Sequence, residues 1–308
     1  MSLNDKQFFL CLFFILFLVK NEMNCQVISN SVLIKEGIIE RKSSFNIEEI
    51  KVRWKKAALE NCPGVPCVTT PPPPPPPSFT CGTTTITDID NNSYPTVLIG
   101  TQCWMKENLR VTKYTDGSSI ALDVSGGTLG TTAQSWTTQP TGAITVYGHS
   151  PDSLAKYGYL YNRLSLISGK MICPTGWHVP SPAEWTVLVK YYEPTNSNIP
   201  TAGNQQSLTV GGKLKMTGGS WKYYVGGGAD NSSGFSALPA GFRDNAQTGP
   251  NGEFKLAFES AHFWASGSTS LYVILEANSP SLGWGNYQTD LAGHSVRCIK
   301  DAVGIGPN

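Results

Sequence analysis

The sequence has no CxxC pair, no apolar run long enough to span a membrane, and no excess of charge of either sign. The first absence argues against zinc, whose structural sites need closely spaced cysteines or histidines. The four histidines, His149, His178, His262 and His294, are far apart in the chain. The second absence leaves Phe8–Val19, twelve residues, as the main apolar run, whereas a spanning helix needs about 20. With Lys6 before it and Lys20 after it, this run reads as the core of a secretory signal peptide over residues 1–25, cut near Cys25-Gln26. Lipid attachment at Cys25 is disfavoured because Glu22-Met23-Asn24 lacks small residues. No transmembrane segment is expected after processing.

The charge balance excludes a class of partner. Lys and Arg total 23 against 22 for Asp and Glu; processing removes two of each (Lys6, Lys20, Asp5, Glu22), so the net charge stays at +1. A nucleic-acid partner calls for a basic patch or stripe, and none is visible along the chain. A nucleophile elbow, a phosphate loop and a carboxylate pair of specific spacing are also missing. No catalytic residue, metal ligand or cofactor site is assigned.

What the sequence does have is glycine (31), proline (21) and cysteine (8), with only 15% charged residues. That composition points to short strands and long loops. Six cysteines remain after processing: Cys62, Cys67, Cys81, Cys103, Cys173 and Cys298. An even number in an exported chain predicts disulfides, though six cysteines allow fifteen pairings.

The organisation follows from punctuation. Residues 26–70 form a stalk with one amphipathic hint, Phe45–Leu59, and the pair Cys62 and Cys67. Residues 71–78 hold seven prolines and a serine, a polyproline II spacer of roughly 20 Å. The folded domain is expected over 79–301, followed by a tail at 302–308. Thr83–Asp88 and Thr96–Gly100 are rich in Thr, Val and Ile and flank turn chemistry at Asp88-Ile-Asp-Asn-Asn-Ser93. A hairpin centred near Asn92 would place Cys81 opposite Cys103, which predicts a bridge. Pro95 removes a ladder donor and marks an edge or bulged strand.

The clearest element is a helix starting at Ser181-Pro-Ala-Glu184, a capping box with proline at the first helical position. Trp185, Leu188, Val189 and Tyr192 then form one apolar stripe, and Glu193-Pro194 stops it. Tyr157–Ile167 carries a second, short helix. Phe235–Pro239, His262–Ser266, Ser270–Ala277 and Ser295–Ile299 read as short strands. The class is α+β, with short strands, one or two helices and long loops at about 115–150, 196–232 and 278–292.

These blocks resemble a known family. Asp88–Tyr94, Val97–Leu109, Tyr157–Tyr161, Cys173-Pro-Thr-Gly-Trp-His-Val-Pro-Ser181, Gly234–Asp244, Phe263–Ser266 and Ser295-Val-Arg-Cys298 are similar, in order, to the Fibrobacter succinogenes major paralogous domain. That domain is found in exported proteins of Bacteroidetes and their relatives. The resemblance covers residues 81–301 and implies a C-type-lectin-like fold, distantly like the formylglycine-generating sulfatase-modifying enzymes. It implies no settled activity, and it makes Cys173 the structural partner of Cys298.

Candidate sites follow. Asp88, Asp90 and Asn91 carry enough oxygen for Ca²⁺, but the same residues build Asx turns, the preferred reading. Glu193-Pro-Thr-Asn196 is similar to a lectin sugar-binding signature but is read as a helix stop. His178 with Glu184 has the residue types for acid–base work, yet the cap and the corner account for both. Arg243, Asp244 and Glu107 are expected in buried ion pairs or caps. Trp104, Trp177, Trp185 and Trp264 are assigned to the core. Trp221, Tyr223, Tyr224, Trp284 and Tyr287 sit in Gly-rich loops and are the ligand-binding candidates.

The expected function is a secreted or outer-surface, non-enzymatic binding module for a glycan or a surface protein. An oxidase of the formylglycine-generating type and a purely structural adhesion component are the alternatives.

Overall fold

The domain is assembled around its own last strand. The structure, a computed structural model, describes residues 79–123, 136, 140–222, 227–244, 252–267, 269–286 and 290–301. These belong to one compact unit that begins at Phe79. The expected signal peptide, stalk (with Cys62 and Cys67) and tail, the polyproline tract, and Tyr223, Tyr224 and Tyr287 lie outside the described residues. No described helix is long and apolar enough to cross a membrane.

The architecture is α+β: several small, mostly antiparallel sheets and four short helices among the described residues. In one sheet the closing strand Ile299–Lys300 lies between Gln102–Met105 and Trp177–His178, and Thr96–Ile99 takes the edge. A second sheet orders Ser260–Trp264, Leu271–Glu276, Leu282–Asn286 and Gln205–Ser207. A third contains Phe242–Arg243, Gly293–His294, Leu160–Asn162 and Ala143–Thr145. Ser260–Trp264 is buried along its whole length because parallel bridges from Ala261 to Gly241 and from Phe263 to Ser295 cover the side away from its hairpin partner.

Both domain disulfides form as expected, Cys81–Cys103 with Cα atoms 5.8 Å apart and Cys173–Cys298 with 5.9 Å. The hairpin that suggested the first is different, however. Ile86–Thr87 pairs with Ser93–Tyr94, while Thr96–Ile99 turns at Gly100 to pair with Gln102–Met105. Pro95 separates the two ladders because it has no N–H to donate. Cys81 instead reaches Cys103 from a turn anchored on Thr96, whose hydroxyl accepts from Gly82 N (2.9 Å) and donates to Thr84 O (2.8 Å).

The helix Pro182–Tyr192 forms with both halves of its capping box in place. Trp185, Leu188 and Val189 are buried, and Trp185 packs 4.8 Å from Trp104 and 5.8 Å from Phe235 between ring centroids. Glu193 ends the helix and its carboxylate accepts from Ser207, Thr209 and Asn196, so the Glu193–Asn196 stretch is a stop that staples the following loop.

The expected long loops contain more structure than their composition suggests. Ala143–Thr145 is a buried strand inside 115–150, and Gln205–Ser207 and helix Val210–Leu214 fall inside 196–232. Leu282–Asn286 is a strand inside 278–292. Around Tyr157–Ile167 the chain forms helix Pro151–Tyr157, strand Leu160–Asn162 and helix Leu164–Ile167. Phe235–Pro239 stays irregular apart from one bridge, Lys215 to Ala237.

Candidate functional site

Four of the sequence blocks meet at one half-open cleft of about 320 Å³. Lys106, Glu107 and Arg110 enter on the segment after Gln102–Met105, and Lys156 and Tyr157 come from the end of helix Pro151–Tyr157. Met216, Ser236 and Leu238 form another side, and Arg297 comes from the stretch leading into the closing strand. Its wall is therefore part apolar and part strongly basic.

Arg297 is about 1% exposed. Its Nε donates to Asn108 Oδ1 (2.8 Å), and its terminal nitrogens donate to the carbonyls of Phe235 and Ser236. Asn108 in turn donates to Tyr157 O (2.8 Å) and Ser295 Oγ (3.1 Å), which fixes the floor. The guanidinium also lies 4.3 Å from the Phe235 ring centroid. Burial pulls Arg297 down to about 9, with Glu107 the one charge opposing the shift.

The charges do not cancel here. Arg110 pairs with Glu107 at 2.6 Å, but Lys106, Lys156 and Arg297 have no carboxylate within ion-pair distance among the described residues. Ser236 adopts φ +59°, which is uncommon outside glycine. The Tyr157 hydroxyl is buried without a hydrogen-bond partner in the structure.

The aromatic candidates fare differently. Trp284 is about 1% exposed in strand Leu282–Asn286, with Nε1 donating to Gln206 Oε1 at 2.8 Å. It is core, because its neighbours in the sheet, Gln206 on the adjoining strand among them, cover it, and its ring offers no face to a ligand. Trp221 is partly buried against the same core. Its Nε1 donates to Ala237 O (3.0 Å) and its face is taken by Lys215 Nζ, 5.3 Å from the ring centroid. Lys215 itself is buried, donates to the carbonyls of Gly227, Glu276 and Ser279 at 2.5–2.8 Å, and is pushed down by burial to about 8. Trp104, Trp177, Trp185 and Trp264 are buried as expected.

The other polar groups are structural. Asp88 accepts from Asp90 N, Asn92 N, Asn92 Nδ2 and Tyr94 Oη, so its oxygens close the turn. Asp90 accepts from Thr112 and pairs with Lys113. His178 sits between Glu184 Oε1 (2.8 Å) and Asp301 Oδ1 (2.6 Å). The hydrogen bond to Glu184 leads the forces that raise it to about 9, which favours the cationic form. Arg243 pairs with Asp123, and Asp244 with Lys255.

Two histidines distant in sequence do meet. His262 and His294 lie 5.1 Å apart between Phe242 and Tyr272 in a stacked aromatic array. Burial pushes His262 down to about 3 and His294 well below its ordinary value. Among the described residues no group of three or more His, Cys, Asp and Glu side chains is arranged to hold a metal.

Sequence reasoning did not pick out the cleft. Its cations are spread from Lys106 to Arg297, so no local window contains a basic patch. The available hint was an arginine directly before a cysteine in a strand-like run.

The class that fold and site define is an α+β domain whose closing strand is tied by a cystine and borders a basic cleft. A family model for the Fibrobacter succinogenes major domain matches residues 97–300. That is more than half of the 308 residues, and the chain belongs to this family. No curated protein and no solved structure matches it.

Proposed function

We propose that this chain is a non-enzymatic binding module, secreted or displayed on the outer cell surface, with a C-type-lectin-like domain that engages a glycan or protein ligand. The observation that carries this reading is the cleft itself, a concave site with a fixed polar floor and an apolar side, the usual composition of a ligand site. The short strands gathered around a cystine-tied closing strand support the lectin-like assignment. The twelve-residue apolar run at the start of the chain supports export.

An oxidase of the formylglycine-generating type needs two reactive thiols close together. Cys81, Cys103, Cys173 and Cys298 are all engaged in disulfides, which favours the binding reading. A structural adhesion component would need no cleft. The test is a glycan array probed with the full chain, combined with thiol titration of the oxidised protein. Saturable array binding with no reactive domain thiol supports the proposal. Reactive thiols without any array or protein binding would reject it.

A further inference from the structure

The binding-module reading leaves the ligand open, and the cleft narrows it. Three of its four cations, Lys106, Lys156 and Arg297, lack a carboxylate partner among the described residues. A guanidinium has five N–H donors, and Arg297 commits three of its nitrogens to protein acceptors through one bond each. Removing a cation from water without a counter-charge is costly. A ligand carboxylate in the cleft would supply that counter-charge. Lys215 shows the contrast: its ammonium has three donors, all three go to carbonyls, and it does not line the cleft.

A second observation lies across Lys156. Phe258 is 52% exposed although it is a large aromatic, and its ring centroid is 6.4 Å from that of Tyr157 and 5.9 Å from Lys156 Nζ. Phe258 and Leu256 both have positive φ, +66° and +59°, a costly backbone state for bulky residues that persists only where the surroundings hold it. Here Phe258 N donates to Pro239 O (3.0 Å) and Phe258 O accepts from Lys222 N (2.7 Å). Phe258 is thus held exposed beside the Lys156 ammonium, which lies over both the Phe258 and Tyr157 rings (5.9 and 5.1 Å from their centroids) and pairs with no carboxylate among the described residues. A flat apolar face next to cations suits a sugar ring that carries a carboxylate, whose C–H face stacks while its charge meets the lysines.

We infer that the cleft and the adjoining Phe258 face bind an acidic saccharide, a uronate unit whose carboxylate is held between Lys106, Lys156 and Arg297. This rests on the binding-module reading and specifies the ligand class for the same site.

The experiment is calorimetric titration of the full, oxidised chain with oligomers of galacturonate, glucuronate and mannuronate, with maltotetraose as neutral control and polyglutamate as acidic control. At least one uronate oligomer is expected to bind, and to weaken with added salt. The double variant Lys106→Gln/Lys156→Gln, which changes only side chains outside the core, should lose about tenfold or more. Phe258→Ala should lose about threefold to tenfold. No uronate binding, or binding unchanged in the double lysine variant, overturns the inference. So does polyglutamate binding as tight as that of uronates and indifferent to Phe258, which would assign the site to acidic protein. Binding of a neutral glycan that ignores Lys106 and Lys156 also overturns it, yet leaves the binding-module reading standing. A chain that binds no glycan and no protein defeats both.

Discussion

Arg243 and Arg297 are each about 1% exposed, yet the fold holds them in opposite ways. Arg243 is sandwiched between Trp136 and Phe254, with its centre 4.9 and 4.8 Å from their rings, and it pairs with the carboxylate of Asp123. Arg297 packs on Phe235 and Phe263 but meets only carbonyls and the Asn108 amide oxygen. Burial pulls both below their ordinary value; Asp123 pushes Arg243 back up, while Arg297 falls to about 9. One charge is balanced inside the protein. The other has no carboxylate within ion-pair distance among the described residues, and only the Glu107 charge opposes its downward shift. A buried arginine is thus ambiguous in sequence, and its partner decides whether it holds the fold or faces a ligand.

The largest expected effects lie in the frame that supports both arginines. Opening the Cys173–Cys298 bridge, whose ends are 125 residues apart, by Cys298→Ser removes at most about 5 kcal/mol in the chain-entropy account. Trp284→Ala, in the core, should cost about 3–5 kcal/mol. Thermal melts should therefore drop sharply for both. A Trp284→Ala protein that melts like the parent would return that ring to the list of ligand-facing residues.

Asp123→Ala sharpens the comparison directly. It removes the buried carboxylate that pairs with Arg243 and should cost about 3–5 kcal/mol in denaturant unfolding. The double variant Asp123→Ala/Arg243→Met should recover much of that loss. Arg297→Met strands no charge and leaves acceptors unpaired instead, a cost of about 1–3 kcal/mol. Equal losses for Asp123→Ala and Arg297→Met would erase the distinction.

The smallest effect is the alkaline arm of a pH dependence set by groups outside the pair. His178 is raised to about 9, so its contribution is complete below about 6.5 and is lost as pH rises through 9. It is partly exposed, so the gain is screened to about 1 kcal/mol or less. His262 is lowered to about 3, so its neutral burial costs stability as pH falls from about 6.5 toward 3. His178→Gln should remove the loss between about 6.5 and 9 and leave the acid arm unchanged. An unchanged alkaline arm would contradict the role of the His178 contacts to Glu184 and Asp301.

Local chemistry was legible in the sequence and long-range convergence was not. The capping box at Ser181 and the stripe from Trp185 to Tyr192 are self-contained signals, and the helix formed as read. Cys81 and Cys103 paired although the strands between them took another register, because Pro95 divides the ladder. Helix Val210–Leu214 escaped notice because two glycines are poor helix formers. They are present for space: a Cβ on Gly211 would collide with Ser281 O, and one on Gly212 with Gly228 O. Trp284 looked like a loop aromatic because Gly283 and Gly285 flank it, but Tyr272 covers Gly285 and the stretch is a strand. The cleft was hidden for a different reason. Lys106, Lys156 and Arg297 meet only through the fold, so no spacing rule could have joined them.

The most direct measurement of the central claim follows the guanidinium Nε–H resonances of Arg297 and Arg243 by NMR while galacturonate oligomer is added to the full chain. An uncompensated Arg297 and a balanced Arg243 predict that the Arg297 resonance shifts saturably and the Arg243 resonance stays fixed. Movement of Arg243 alone, or a static Arg297 at saturating ligand, would contradict the account.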